Sequence, residues 1–345
     1  MFIEKNYSFE RVVRYSGRPF LLFAVYSTTI VLLWEYANLN WITIPWLPLS
    51  LIGTAVAFYV GFKNNSSYDR MWEARKIWGA IVNSSRAWGT YVGSFVSNQF
   101  AAIPASKHEL QAAKTQLIYR HIAWLYALRN QLLVVTNWEH ANQRGKTGKR
   151  AQRYREAYGI GQIEDEVMKN ELQNYLPHHE LQRLVDYQNT ATQIIDQQAK
   201  DLAQLRSKEL IDDFRHMELQ KLLYDFYEHQ GKCERIKKFP LPRQYASVTR
   251  IFIYIFIFLL PLGMVSEFAK IGDWGIWLSI PFTALVSWVF WMMEEVGDYS
   301  ENPFQGMGND IPMLSLCRVI EIDLKEMLGE TDLPEKVKPV NGVLM

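Results

Sequence analysis

The sequence predicts an all-α membrane protein: four transmembrane helices in two hairpins, joined by long cytosolic helices. Three observations predict it. Residues 36–62 and 274–293 carry no Asp, Glu, Lys or Arg. The shorter runs 19–34 and 251–266 carry none either. Between the two pairs lies a long stretch that mixes charges with apolar residues three and four apart, the helical period. A helix crossing roughly 30 Å of hydrocarbon needs about 20 residues, and flanking positions extend the shorter runs.

The expected spans are about 19–37, 41–62, 247–266 and 273–293. The first holds Phe20-Leu21-Leu22-Phe23 and the third Ile251 to Leu260, the most apolar run in the chain. Pro261 and Gly263 are tolerated there where neighbouring helices satisfy the freed backbone groups. Trp41 and Trp46 open the second span, and Trp274, Trp277, Trp288 and Trp291 decorate the fourth, as in an interfacial aromatic belt. Flanking basic residues set the orientation. Arg11, Arg14 and Arg18 precede span one, and Lys63, Arg70, Arg75 and Lys76 follow span two. Lys232, Arg235, Lys237, Lys238, Arg243 and Arg250 precede span three. The two short links are poor in Lys and Arg, so both termini and the middle are expected on the cytoplasmic side of a cell inner membrane. The region 63–245 is then a cytosolic helical insert, helical over about 64–99, 108–138 and 163–230. A C-terminal arm, 294–345, is expected to be irregular up to a short helix at 313–328.

Composition narrows the function classes. Hydrophobic residues at 49% and aromatics at 14% exclude disorder as the main state. Two cysteines exclude a disulfide framework. A net charge of +1 gives no argument for nucleic acid. The run Arg144, Lys146, Lys149, Arg150, Arg153, Arg155 is basic without an acid, but its glycines fit a solvated loop and helix start better than a lipid patch. There is no glycine-rich phosphate loop, no serine elbow and no pair of histidines at metal-binding helical spacing. His178, His179 and Glu180 are adjacent and do not share a helix face, so a surface helix start after Pro177 is expected. No enzyme, metal or cofactor is expected.

In the second span Thr54, Phe58 and Phe62 fall four apart and share one helix face. Copies arranged about an axis would stack them as apolar rings, although such a stripe is more often packing. Directly below, Asn64, Asn65, Asp69, Arg70 and Glu73 mix amides and charges that would line a vestibule or lock helices together.

The stretch from Gly61 to Lys76, with Arg18-Pro19, Trp78-Gly79 and Val82-Asn83-Ser84-Ser85-Arg86, resembles the bestrophin family in its prokaryotic form. Gly231 to Ile236, Pro240-Leu241-Pro242, Leu260-Pro261-Leu262-Gly263 and Asn302-Pro303-Phe304 extend the resemblance over nearly the whole chain. It implies one bestrophin-like domain over 1–345, assembled as a homopentamer around an axial pore that passes small monovalent ions among membrane lipids. It places the neck at Thr54, Phe58 and Phe62, where the threonine departs from the usual bulkier apolar residue. It places a second, cytosolic constriction near Ile194, with Ala191 and Thr192 as rivals. The family's animal members hold calcium with an acidic run after Asn-Pro-Phe. Here only Asp310 follows, too few donors for an ion that takes six to eight oxygens, and no high-affinity calcium site is expected. The prokaryotic branch implies a lean towards cations. The alternatives are a chloride or other anion channel and, from another class, a non-conducting membrane scaffold.

Overall fold

The computed structural model describes residues 1–157, 172–185, 187–272 and 274–345. Among them are ten α-helices: α1 Phe9–Tyr36, α2 Trp46–Phe95, α3 Lys107–Leu133, α4 Lys146–Ala157, α5 His178–Val185, α6 Thr190–Ser207, α7 Asp213–Lys238, α8 Arg243–Ala269, α9 Gly275–Ser300 and α10 Met313–Met327. Those containing α1, the first half of α2, α8 and α9 are long and apolar enough to cross a membrane. The chain divides into two compact units. One is Glu4–Arg70 with Pro240–Asn302, here the membrane unit; the other is Met1–Ile3, Met71–Phe239 and Pro303–Met345, the polar helical unit.

In the membrane unit α1 starts where the Ser8 side chain accepts the Arg11 amide at 3.3 Å, a capping contact. It lies against α9 and α8. The second span starts later than expected. Trp41 sits in a short 3₁₀ turn, Asn40–Ile42, and the helix opens only after Pro45. A proline holds the residue before it extended, so the turn cannot run into the helix. Pro48, in the first turn, lacks only an N–H that would have no partner there. Leu49, Val56 and Val60 of α2 pack on Ile253, Phe256, Ile257, Leu260 and Met264 of α8. Gly53 allows the close approach, because a Cβ there would lie 2.8 Å from the Phe256 ring. The fourth span runs past its expected end: residues 294–300 are helical, not irregular. Its expected first residue, Asp273, lies outside the described residues.

The polar helical unit holds a large core built on Trp78, Trp88, Ile118, Trp124, Leu128, Ile195, Phe226 and Leu324, among others. A capping box fixes the start of α3: Ser106 accepts the Glu109 amide and Glu109 accepts the Ser106 amide. The helix expected over 163–230 is interrupted. Asn189 caps α6 through the Thr192 amide, Glu209 takes a left-handed turn with φ 56°, and Asp212 caps α7 through the Arg215 amide. Asn and Asp offer the backbone a local alternative to the helix, which apolar periodicity does not register. The part of that expectation at 163–171 lies outside the described residues.

Candidate functional site

The membrane part of α2 has two unlike sides. Leu49, Gly53, Val56, Val60, Lys63 and Ser67 are buried, alternately four and three apart. Thr54, Phe58, Phe62, Asn65 and Asp69 are exposed. Phe58 is 67% and Phe62 50% exposed, yet their rings meet edge to face with centroids 4.5 Å apart. That arrangement sets the positive ring edge of one against the negative face of the other. The Thr54 hydroxyl donates back to the Ser50 carbonyl at 2.9 Å, which satisfies its proton within the helix. Asn65 donates to Asp69 at 3.5 Å, one turn on.

The five polar residues that follow Phe62 separate by their contacts. Asn64 Nδ2 donates to the Met293 carbonyl of α9 at 3.0 Å. A Cβ at Gly297 would meet Asn64 Oδ1 at 2.0 Å, so that glycine is where α9 admits the amide. Arg70 Nε donates to the Glu301 carbonyl at 3.0 Å, and the Glu301 carboxylate takes Arg243 at 2.9 Å. Asn64 and Arg70 therefore lock helices. Glu73, in the polar helical unit, pairs with Arg235. Asn65 and Asp69 stand on the exposed side with Phe58 and Phe62.

Sequence reasoning missed a buried charge cluster in the membrane unit. Lys63 Nζ lies 2.5 Å from Glu294 Oε1, with side-chain exposures of 0% and 5%. Arg250 lies 3.4 Å from the same oxygen and 2.5 Å from Asp298. A signal was present. Lys63 falls in the three-and-four spacing of the packed side of α2, and Glu294, Asp298 and Glu301 repeat along one side of α9 and its cap.

In the polar helical unit the expected constriction residue, Ile194, lies on α6. Ile194 is 0% exposed within the hydrophobic core. The Asn189 cap sets α6 so that Ala191, Ile194, Ile195, Gln198, Asp201, Leu202 and Leu205 form its buried stripe. Ala191 is equally buried, and Thr192 Oγ1 accepts from Gln230 at 2.8 Å.

Asp310 closes a loop. Its carboxylate accepts the amides of Phe304, Gly306 and Ile311 at 2.9, 2.8 and 2.7 Å. Phe304 and Gly306 both take left-handed φ, 73° and 79°, to present those amides. Arg155 donates to the Gln305 carbonyl and, at 2.8 Å, to that of Leu133. The last residue of the basic run is therefore a buried brace, while Arg144, Lys149, Arg150 and Arg153 are exposed and the Lys146 side chain lies outside the described residues. Glu139 and Lys237 form a buried pair beside the loop, and Lys237 also reaches the Phe304 carbonyl at 3.5 Å. Burial pushes the Glu139 and Asp310 carboxyls up and the Lys237 ammonium down. Among the described residues, no three His, Cys, Asp or Glu side chains gather to hold a metal ion.

A polar cleft of about 860 Å³ lies in the same unit, between α3, α5 and α6. Glu180 faces it but is spent on Arg120, at 2.6 and 3.1 Å, and Asp201 pairs with the same guanidinium.

Comparison with known proteins bears on this arrangement. A family model described as "Bacterial/Fungal Bestrophin protein" matches residues 10–326. A voltage-dependent anion channel-forming protein of Escherichia coli O157:H7 is 28% identical over 325 residues, 94% of this chain and 90% of that one. One of Mesorhizobium japonicum is 27% identical over 92% of this chain and 85% of its own. The crystal structure of a bacterial bestrophin homologue from Klebsiella pneumoniae shares the fold, with TM-score 0.72 and 21% identity over 90% of this chain and 98% of that one. The cation preference expected from the sequence is corrected by these relatives, which are named for anions. The chain belongs to the bacterial and fungal bestrophin family.

Proposed function

We propose that the chain is one subunit of a homopentameric anion channel in the cell inner membrane, with both termini and the helical insert cytoplasmic. Five copies set the exposed side of α2 around an axis, with Thr54, Phe58 and Phe62 as the neck and Asn65 and Asp69 just inside it. The observation that carries the neck reading is the Phe58–Phe62 pair: two large rings locked edge to face, yet exposed, on a helix whose other side is packed. Apolar walls hold ions weakly and let them leave quickly, and a narrow apolar stretch closes by dewetting. Ring edges carry the positive part of the aromatic quadrupole, which suits an anion passing the rim of each ring. The names of the relatives support the anion reading, and the basic flanks of the spans support the orientation. The protein is on this reading a channel, not an enzyme, and its partners are lipid, monovalent ions and its own copies.

The test is single-channel recording of purified protein in planar bilayers. Phe58→Ala and Phe62→Ala each change unitary conductance severalfold if these rings form the neck. Unchanged conductance in both variants would show that they face lipid or protein instead.

A further inference from the structure

Lys63 follows Phe62 directly, and successive helical residues point about 100° apart. Phe62 is half exposed, whereas Lys63 is fully enclosed by the membrane unit. Its ammonium meets Glu294 of α9, and Glu294 Oε1 also takes Arg250 of α8. Arg250 is tied in turn to Asp298, one helical turn further along α9. Two cations and two carboxylates balance. Glu294 Oε2 accepts no hydrogen bond among the described residues, so the carboxylate is held from one side, by Lys63 and Arg250. Next to it, Asn64 donates to the Met293 carbonyl. Three helices thus meet at one charged point directly behind the last neck position.

We propose that Lys63 is a positioning residue for the neck: its ion pair with Glu294 fixes the rotation of α2 about its own axis and so the aim of the Phe62 ring. This rests on the reading of Phe58 and Phe62 as the neck. Apolar contacts alone set that rotation loosely, because neighbouring positions on a membrane helix are equally content against lipid or against another helix. A buried ammonium has one acceptable register, since any other leaves it and Glu294 unpaired in apolar surroundings. A turn of about 20° moves a ring tip at a radius of about 5–6 Å by about 2 Å. That is comparable with the width of the gap a ring must leave for a small ion. Phe58 follows Phe62 because the two rings are in contact.

The experiment is a double-variant cycle on unitary conductance, with purified full-length channels checked for wild-type assembly size. Lys63→Met keeps the stem and removes the charge, and Glu294→Gln removes the partner while keeping its shape. Each is expected to change conductance at least twofold in the wild-type background and by less than about 20% when Phe62 is already Ala. Equal fold-changes in the two backgrounds would overturn the proposal, because a general structural defect does not act through Phe62. No change in either background would overturn it as well. If Phe62→Ala and Phe58→Ala leave conductance untouched, the neck reading fails first and takes this inference with it. If they alter conductance and the cycle is additive, this inference fails alone. Should Lys63→Met not assemble, Glu294→Gln supplies the same readout. Failure of both to assemble would mean that the pair serves folding at large, contradicting a local positioning role.

Discussion

In α9 the buried residues include Ser279, Thr283, Ala284, Ser287, Glu294, Gly297 and Asp298, while Phe282, Leu285 and Val289 stand exposed. In α3 the buried residues include Leu117, Ile118, Ile122, Trp124, Leu125 and Leu128. Along α9 large apolar side chains turn outward and small and charged ones inward, whereas α3 buries its large apolar ones. Lipid is as apolar as leucine, so an outward leucine costs nothing there and helix contact comes from close approach and polar pairing. In α9, therefore, the polar residues mark the inside. Lys63 and Glu294 carry more information about the site than the apolar residues around them.

The largest expected effect is common to both regions and lies at the buried ion pairs. Arg120→Met leaves Glu180 and Asp201 buried without a cation, and a loss of about 3–5 kcal/mol of folding stability is expected. Denaturant unfolding in detergent measures it, and a loss below about 1 kcal/mol would mean that water reaches the carboxylates.

A matched pair of leucines tests the contrast itself. Leu128→Ala, in the core of the polar unit, should cost about 2–5 kcal/mol. Leu285→Ala, on the exposed side of α9, should stay within about 0.5 kcal/mol. A similar cost at both would break the comparison and show that Leu285 is covered in the assembly. Gly297→Ala sharpens it from the other side. The added methyl displaces the Asn64 amide, and about 1–3 kcal/mol is expected, far more than a glycine in an open helix surface would show.

The fold was legible because its signals are long-range and compositional. Charge-free runs mark the spans wherever they lie, and basic residues stand before the first and third spans and after the second, while Glu294, Glu295 and Asp298 follow the fourth. Boundaries were less legible where one residue's local chemistry decides. Pro45 delays α2, and Asn189 and Asp212 cut the long helical region into pieces. Of the candidate site, the four-residue spacing that sets Phe58 and Phe62 on one helix face was legible, whereas the split among Asn64, Asn65, Asp69, Arg70 and Glu73 was not, because spacing does not say which amide or charge finds a partner. The burial of Ile194 was not legible either, since the sequence pattern leaves the phase of α6 open and the Asn189 cap sets it. The charged cluster around Lys63 was overlooked because Glu294 and Asp298 look like the acidic end of a span until Lys63 and Arg250 are seen to meet them.

A pH dependence belongs to the polar unit as well. His121 is enclosed by Trp88, Trp124 and Phe226, with Nε2 2.9 Å from the Ser85 hydroxyl. Burial lowers its pKa from 6.5 to about 3. Between those values the unfolded chain binds the proton and the folded chain does not, so stability is full above 6.5 and falls as pH drops. At pH 5.5 the loss from this group is about 1.4 kcal/mol, and His121→Phe should remove that slope from a series of unfolding curves. An unchanged slope would assign the acid sensitivity elsewhere.

The most direct test of an anion channel is the reversal potential of purified protein in a planar bilayer under a KCl gradient. The predicted result is a shift towards the chloride equilibrium potential, reduced in magnitude but not in sign when Phe58 and Phe62 are replaced by alanine. A shift towards the potassium equilibrium potential would contradict the anion assignment, and no current across voltage and pH would contradict the channel itself.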